Sequence, residues 1–299
     1  MTAQQQSEDQ IRDTVRDGYK KVALHGSLDV ISDNSSSCCS PSNESEPTSG
    51  GCCGGTSQFS ADKLAEQIGY TADEVAALPE GANMGLSCGN PTAIANLTEG
   101  QTVLDLGSGG GFDIFLAGPK VGATGKAIGV DMTAEMITKA RNNIASYTKS
   151  TGLANVEFRL GEIEHLPVAD NSVDVVISNC VINLSPNKPQ VWAEIARVLK
   201  PGGKVAASDV VLLKTLPEPV REQAEALVGC VAGAVLLDDY ESMMKAVGLS
   251  NITLNAKANY VESLRAFKAP IYDAVQAQLP DGLTPNDYIT SADIIAIKP

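Results

Sequence analysis

The stretch LDLGSGGGFD, which runs from Leu104 to Asp113, decides the fold of the chain around it and carries glycine at the alternate positions 107, 109 and 111. A short apolar run leads into it, which predicts a buried strand that turns directly into a helix. Glycine allows such a tight turn and lets backbone amides approach a ligand closely. A plain strand-to-helix turn also satisfies this pattern. The segments on either side therefore decide whether this turn belongs to a ligand-binding site.

Short apolar runs alternate with longer amphipathic segments along the residues that follow Gln101. The runs predicted as strands are 103–106, 127–130, 156–160, 173–178 and 204–208. The clearest helices are 133–147 and 189–199, and the second ends before Pro201 and Gly202, which cannot continue a helix. This alternation predicts an α/β fold with a parallel, doubly wound, Rossmann-like sheet.

Four segments are predicted along the chain. Residues 1–31 contain a helix, because apolar residues recur there at helical spacing. These residues are Ile11, Val15, Tyr19 and Val22. Residues 32–57 are so rich in serine, glycine and proline that they predict a flexible, cysteine-containing loop. Residues 58–212 hold the leading helices and the sheet domain, and residues 213–299 form a smaller α+β region. The elements predicted in this last region are helices 218–228 and 238–247 and strands 252–256 and 292–297.

The composition restricts the class of partner. The chain has 299 residues, 43% of them hydrophobic, and a formal net charge of -14. Nucleic acids and anionic membranes attract basic surfaces, so neither is an expected partner. No apolar run approaches the ~20 residues of a membrane helix, and residues 1–10 lack the pattern of a signal peptide. A cytoplasmic protein is predicted, and its odd number of cysteines, seven, favours a metal-binding or catalytic use.

Polar residues follow several of the predicted strands. Asp131 closes the second strand, where a carboxylate can bind both hydroxyl groups of a ribose. Glu162 and Ile163 follow the third strand, where they can contact the edge of an adenine. Asn179 and Cys180 follow the fourth. All these positions lie at the carboxyl ends of parallel strands, which is where open α/β sheets bind ligands.

The spacing of the glycines separates two classes of nucleotide site. A dinucleotide-binding dehydrogenase carries the pattern G-x-G-x-x-G. Here Gly107, Gly109 and Gly111 alternate, Asp105 precedes them, and the segment VLKPGGK stands before the fifth strand. This ordered set of elements resembles the class I S-adenosylmethionine-dependent methyltransferases.

The resemblance implies S-adenosylmethionine as the cofactor and gives each position a role. Asp105 would support its methionine end, and Gly107, Gly109 and Gly111 would approach the sulfonium group. Asp131 would bind the ribose. The remaining implied contacts are Met132 on the adenine ring, Glu162 and Ile163 at its edge, and Asn179 after the fourth strand.

Three separate cysteines stand outside the serine-rich segment, and their contexts differ. Cys180 directly follows the fourth strand, beside the place where a methyl group would be presented. Cys88 lies between small residues in GLSCGNP, which predicts an accessible loop thiol. Cys230 lies within the apolar ALVGCVAGAV, which is typical of an inert core cysteine. A lone cysteine is most often buried and unreactive. The residues alone therefore leave open whether each of these cysteines is a reactive thiol or an inert part of the core.

The contexts of these cysteines, GANMGLSCGNP at 81–91 and SNCVINLSP at 178–186, resemble the arsenite methyltransferases. The resemblance extends from the first helix to about Cys230. It implies that trivalent arsenic, a soft centre, is bound by the thiolates of Cys88, Cys180 and Cys230. The implied activity is methylation of arsenite, or of its glutathione complex, to mono- and dimethylated arsenic in detoxification.

Two pairs of adjacent cysteines occupy the serine-rich segment, Cys38 with Cys39 and Cys52 with Cys53. Zinc is the structural alternative, but neighbouring residues are poorly placed to fill two corners of one tetrahedron. The resemblance implies instead a redox relay, in which thiols form a disulfide and return methylated arsenic to its trivalent state. A thiol reductant such as thioredoxin or glutathione would then restore the thiols. The doubled pairs depart from the family pattern and leave open which cysteine acts.

Two other functions remain open on the sequence. The same fold could methylate a small organic acceptor of the quinone or sterol type, with the cysteines incidental. A non-catalytic protein could bind metalloids through thiolates after its cofactor motif has decayed. The intact Asp105, Gly107, Gly109 and Asp131 disfavour decay. Transfer of a labelled methyl group to arsenite distinguishes the three.

Overall fold

A seven-stranded sheet forms the centre of the part of the protein that the structure, a computed structural model, describes: residues 7–25, 61–217, 233–257, 276–277, 279 and 282–299. Its strands are β1 Thr102–Leu106, β2 Lys126–Asp131, β3 Val156–Leu160, β4 Val173–Asn179, β5 Leu199–Leu212, β6 Ser250–Lys257 and β7 Ile289–Ile297. They lie in the order β3-β2-β1-β4-β5-β7-β6. Strands β1 to β5 pair in parallel, and β7 is antiparallel to both β5 and β6. The predicted doubly wound α/β fold is confirmed.

The helices precede the sheet or connect its strands. They are α1 Glu8–His25, α2 Ala61–Gln67, α3 Ala72–Ala76, α4 Pro91–Ala95, α5 Phe112–Val121, α6 Ala134–Thr151, α7 Lys188–Val198 and α8 Leu237–Ala246. The predicted helices and strands within the described residues are confirmed with shifted ends, and β5 extends past 204–208 in both directions. The predicted loop 32–57 and helix 218–228 lie outside the described residues. Of the described helices, none has the length and apolar character needed to cross a membrane.

Apolar side chains cover both faces of the sheet, as a parallel sheet requires. Along β1, Val103 packs on one face and Leu104 on the other. The Leu104 face carries α7 and α8, whose Trp192 and Tyr240 meet edge to face with ring centroids 6.0 Å apart. The Val103 face carries α5 and α6, including the buried Tyr147. These two layers hold the carboxyl edge of the parallel strands in a fixed frame.

Helix α1 packs beside that carboxyl edge. Val22, which the helical spacing predicted to face inward, is buried against Met136 of α6. An ion pair joins Lys20 to Glu135 of α6, with nitrogen and oxygen 3.1 Å apart. Near its other end, α1 is tied by further ion pairs to the residues that follow β3. The helix therefore lies over the region where the parallel strands end.

Strands β6 and β7 extend the sheet beside β5 and connect the C-terminal residues to a distant loop. β7 is buried along most of its length, whereas β6 alternates between half-buried and exposed positions. From β7, the Ser291 hydroxyl donates to the carbonyl of Cys88 at 3.1 Å. Asp293 accepts a hydrogen bond from Ser208 at 3.0 Å and pairs with Lys257 at 2.6 Å. β7 thus supports the loop that carries Cys88.

Gly118 of α5 provides a test of this packing. A Cβ at this position would lie 2.2 Å from the hydroxyl oxygen of Tyr147, which donates to Asn155 at 2.7 Å. Alanine normally stabilises a helix interior by about 1 kcal/mol relative to glycine. Here we expect Gly118→Ala to lower the free energy of unfolding by about 1–3 kcal/mol, because the core has no room for the methyl group. Urea unfolding measures the change. In a Tyr147→Phe background the loss should shrink, and an equal loss in both backgrounds would contradict the contact.

Candidate active site

A cavity with about 690 Å³ of empty space, part of which is open to solvent, lies at the carboxyl edge of the parallel strands. The residues that line it from the sheet include Gly107, Gly109, Asp131, Met132, Ile163, Asn179 and Cys180. Helix α1 contributes Arg12, Val15 and Tyr19. The predicted cofactor motif and a predicted arsenic-binding cysteine therefore share one cavity.

Close packing and backbone conformation require the glycines of the motif. Gly107 has a φ of 68°, and a Cβ there would lie 2.1 Å from a methyl carbon of Val181. Gly109 has a φ of 51°, and its N–H donates to Asp131 at 3.0 Å. Gly111 has a φ of 94° and packs against two buried phenylalanine rings, away from the cavity wall. The turn therefore presents backbone, rather than side chains, to the cavity.

Asp131 presents its carboxylate to the cavity at the end of β2. One oxygen accepts the N–H of Thr133 at 2.8 Å, and the other accepts the N–H of Gly109. Burial raises the pKa of this carboxyl group, while the two backbone hydrogen bonds act in the opposite direction. Each oxygen can accept a further hydrogen bond. The group is thus fixed in place, with acceptor capacity left for the two hydroxyl groups of a ribose.

Two further carboxyl groups are buried below the glycine turn. Asp105 of β1 is 3% exposed and does not reach the cavity wall. Burial raises the pKa of Asp105 well above its usual range, and the neighbouring Asp113 and Asp131 raise it further. Asp113 accepts hydrogen bonds from the Tyr70 hydroxyl at 2.6 Å and from the Asn179 amide at 3.1 Å. Any support that Asp105 gives to a ligand must therefore pass through the turn above it.

Asn179 connects the glycine turn to the loop that carries Cys88. Its side-chain oxygen accepts the backbone N–H of Cys88 at 3.0 Å. Its amide nitrogen donates to the carbonyl of Gly89 at 2.9 Å and to the carboxyl group of Asp113. Asn179, predicted to contact the cofactor, lines the cavity and also joins the two halves of the site.

Cys180 lines the cavity and forms a disulfide with Cys88, with Cα atoms 5.9 Å apart. Cys180 follows β4 with a φ of 56°, and its N–H donates to the carbonyl of Ser208 at 2.9 Å. The sequence predicted an accessible Cys88, and this prediction is wrong, because Cys88 is 1% exposed. It packs against Cys180, Val210 and Tyr288, under the strand that supplies Ser291.

Asp209 of β5 is a further buried group beside the two sulfurs, and sequence reasoning missed it. One of its carboxyl oxygens and the sulfurs of Cys88 and Cys180 all lie within 4.8 Å of one another. Burial raises the pKa of Asp209 to about 7, although hydrogen bonds from its neighbours and the charge of Lys188 act in the opposite direction. The aspartate inside the apolar run KVAASDVVLL could have indicated this group, because a charged residue is rarely buried in a core strand without a specific role.

The remaining predicted positions are divided between the cavity and its surroundings. Ile163 is buried and lines the cavity, whereas the carboxylate of Glu162 pairs with Arg16 of α1 at 3.2 Å. The contribution of Arg12 and Tyr19 to the cavity was not predicted, since helical spacing predicts a helix but not what it covers. The predicted cysteines that lie outside the described residues are Cys38, Cys39, Cys52, Cys53 and Cys230.

Asp209 makes the stability of the ligand-free protein depend on pH. Its folded-state pKa of about 7 lies above the ordinary aspartate value of 3.8, so folding favours the protonated form. Stability that is fully present below pH 3.8 is therefore lost as the pH rises through about 7. Between about pH 5.5 and pH 8, Asp209→Asn should gain about 2 kcal/mol in unfolding free energy relative to wild type. Denaturant unfolding at both pH values measures this, with the exposed Asp239→Asn as control. Parallel pH profiles for wild type and Asp209→Asn would contradict the assignment.

Comparisons with known proteins agree with this geometry. Residues 97–248 match the family described as a methyltransferase domain. The arsenite methyltransferase of Halobacterium salinarum is 44% identical over 291 residues, which are 97% of this chain and 67% of that protein. The arsenite methyltransferase of Aquipseudomonas alcaligenes is 45% identical over 159 residues, which are 52% of this chain and 46% of that protein. The chain thus spans about two thirds of the first relative and less than half of the second.

Solved structures share the fold. The crystal structure of an arsenic(III) S-adenosylmethionine methyltransferase from Chlamydomonas reinhardtii has a TM-score of 0.56 and 30% identity, covering 80% of this chain and 73% of that one. A phosphoethanolamine N-methyltransferase from Haemonchus contortus, in complex with S-adenosylmethionine, has a TM-score of 0.58 at 20% identity, covering 81% of this chain and 61% of that one. The second likeness concerns the fold alone.

The cavity also has the features that S-adenosylmethionine needs. The glycine turn brings bare backbone to its wall, and Asp131 offers two carboxylate oxygens. Met132 and Ile163 supply apolar surface for an adenine ring. With these features and an identity that extends over nearly all of its length, the chain belongs to the arsenite methyltransferases, which take their methyl group from S-adenosylmethionine.

Proposed function

We propose that this protein transfers the methyl group of S-adenosylmethionine to trivalent arsenic bound by cysteine thiolates, giving mono- and dimethylated arsenic in detoxification. The observation that carries the proposal is the position of Cys88 and Cys180. Cys180 lines the cavity that also presents Gly107, Gly109 and Asp131, and its sulfur is bonded to that of the buried Cys88 behind it. The methyl donor and an acceptor bound to Cys180 would therefore lie in the same cavity.

The cysteine sulfurs are chemically suited to trivalent arsenic. Arsenic in this state is soft, and thiolates are the soft ligands among protein side chains. Arsenite, As(OH)3, releases one water for each thiol that replaces a hydroxyl group, and its glutathione complex would release one glutathione for each protein thiol. We assign the third sulfur to Cys230, on the family resemblance.

Methyl transfer to arsenic requires less of the protein than transfer to oxygen or nitrogen. When bound, S-adenosylmethionine supplies an electrophilic methyl group on a positively charged sulfur. The lone pair of arsenic carries no proton, so the site needs no general base to remove one. The protein has to hold arsenic in line with the methyl donor and to keep water away from it. The burial of Cys88 and Cys180 contributes to both requirements.

A redox step must follow each transfer, because arsenic that gains a methyl group through its lone pair becomes formally pentavalent. Two thiolate ligands that leave arsenic as a disulfide return two electrons to it. Cys88 and Cys180 can form that disulfide, since their sulfurs are bonded to each other in the structure. Exchange with the cysteines of 32–57, followed by a reductant of the thioredoxin or glutathione class, would restore the thiols. The proposal places the protein in the cytoplasm, where such reductants operate.

The cofactor assignment can be tested at Asp131. Two hydrogen bonds from ribose hydroxyl groups to this carboxylate should contribute about 1.5–3 kcal/mol each. We therefore expect Asp131→Ala to weaken the binding of S-adenosylmethionine by at least about tenfold in calorimetry. The exposed Asp239→Ala should bind as wild type does, and melting curves would confirm that both variants fold. Unchanged affinity in a folded Asp131→Ala would mean that the cofactor lies elsewhere.

Incubation of the reduced full chain with methyl-labelled S-adenosylmethionine, arsenite and a thiol tests the reaction. Label should appear on arsenic, and Cys88→Ser and Cys180→Ser should each slow the transfer by about a hundredfold or more, because arsenic loses a ligand and its alignment. Asp239→Ala should retain the rate. Label on an added quinone instead of arsenic would favour the organic acceptor. Binding of arsenic without any transfer would favour the non-catalytic thiolate protein.

A further inference from the structure

The carboxyl group of Asp209 lies beside the two sulfurs and takes no part in the methyl transfer proposed above. Its side chain is fully buried, and an oxygen of Asp209 lies within 4.8 Å of the sulfurs of Cys88 and Cys180. The nearby ammonium group of Lys188 donates to the carbonyl of Ser185 instead of pairing with the carboxyl group. A buried carboxyl group without a paired cation is costly, so its presence here requires a reason.

Hydrogen bonds account for only part of the acceptor capacity of Asp209. Oδ1 accepts the N–H of Val210 and the side-chain N–H of Asn183, each at 2.9 Å. Oδ2 accepts the backbone N–H of Asn183 at 3.2 Å. The Tyr240 hydroxyl lies 3.3 Å from Oδ2 but 2.9 Å from the amide oxygen of Asn183, and its single proton favours the shorter contact. A carboxylate has about four acceptor positions, so Oδ2 keeps capacity for another donor.

We propose that Asp209 accepts a hydrogen bond from the hydroxyl group that remains on arsenic after arsenite has bound to Cys88 and Cys180. The inference rests on the proposed function. Once the two thiols are reduced, loading follows As(OH)3 + 2 Cys–SH → (Cys–S)2As–OH + 2 H2O, with no change of oxidation state. An arsenic atom that bridges the sulfurs also approaches the carboxyl group, since the three groups lie so close together. Its remaining hydroxyl group can then point at Asp209.

This contact distinguishes the first substrate from its methylated product. Monomethylarsenite loads as CH3As(OH)2 + 2 Cys–SH → (Cys–S)2As–CH3 + 2 H2O and presents a methyl group where arsenite presents a hydroxyl group. A methyl group donates no such hydrogen bond, so Asp209 assists the binding of arsenite alone. A third cysteine thiol would displace the hydroxyl group and supply the proton that releases it as water. The contribution of the Asp209 contact can therefore be measured by itself in a Cys230→Ser chain, which lacks the third cysteine.

The test measures how two arsenicals bind to the full chain carrying Cys230→Ser, reduced with a thiol-free phosphine. Calorimetry without S-adenosylmethionine gives the dissociation constants of arsenite and monomethylarsenite. In this background Asp209→Ala should weaken arsenite binding by about tenfold and monomethylarsenite binding by less than about twofold. Asp209→Asn keeps the side-chain volume but places an N–H where the acceptor stood. It should show the same selective loss, and it decides the question if the alanine variant does not fold.

Asn183→Ala is the matched control, because it removes a donor to Asp209 and leaves the carboxyl group in place. Equal weakening of both arsenicals, or the same selective loss in Asn183→Ala, would mean that Asp209 only holds the turn after Cys180, and would overturn the proposal. Unchanged arsenite affinity in a folded Asp209 variant would overturn it too. The Asp209 variants could show the selective loss while the wild-type chain transfers no labelled methyl group to arsenic. That result would refute the proposed function and leave the Asp209 contact supported.

Discussion

The side-chain amide of Asn179 is the contact on which both halves of the site depend. Its oxygen holds the backbone of Cys88, and its nitrogen holds Asp113, which follows the glycine turn. Because Asn179 ends β4 and Cys180 comes next, the same strand positions this bridge and the second sulfur. The distance between the cofactor turn and the sulfur pair is therefore set by one half-buried side chain on a central strand. Few residues with two donors and an acceptor are short enough to replace it.

Buried acidity is the second constraint on the site. Asp105, Asp113 and Asp209 are all buried, and burial raises the pKa of each. Such groups lower the stability of the empty protein at neutral pH. Asp105 and Asp113 lie below the glycine turn, where a nearby positive charge would favour their ionised form, and a sulfonium donor brings such a charge. The cost in stability and the preference for a cationic cofactor thus have the same origin.

The parts of the site that could be predicted are those that local pattern and topology determine. Gly107 and Asp131 line the cavity because the ends of parallel strands meet at one edge, and the alternation of strands and helices predicts such parallel strands. The burial of Cys88 could not be predicted, because it depends on β7 much later in the sequence. Arg12 covers the cavity because it forms an ion pair with Glu164. This pairing exists only in the folded chain, so the sequence alone does not reveal it. Asp209 was missed for the same reason.

The hydrogen bond from Ser291 to Cys88 spans 203 residues of sequence, and that separation has a consequence during synthesis. Ribosomes add about 5–20 residues per second, so 203 residues take about 10–40 s. Throughout that interval the nascent chain carries Cys88 without the strand that later covers it. The Cys88 thiol is then accessible to arsenite, which is the substrate proposed for the folded enzyme. Each new chain therefore encloses Cys88 only after β7 has been synthesised.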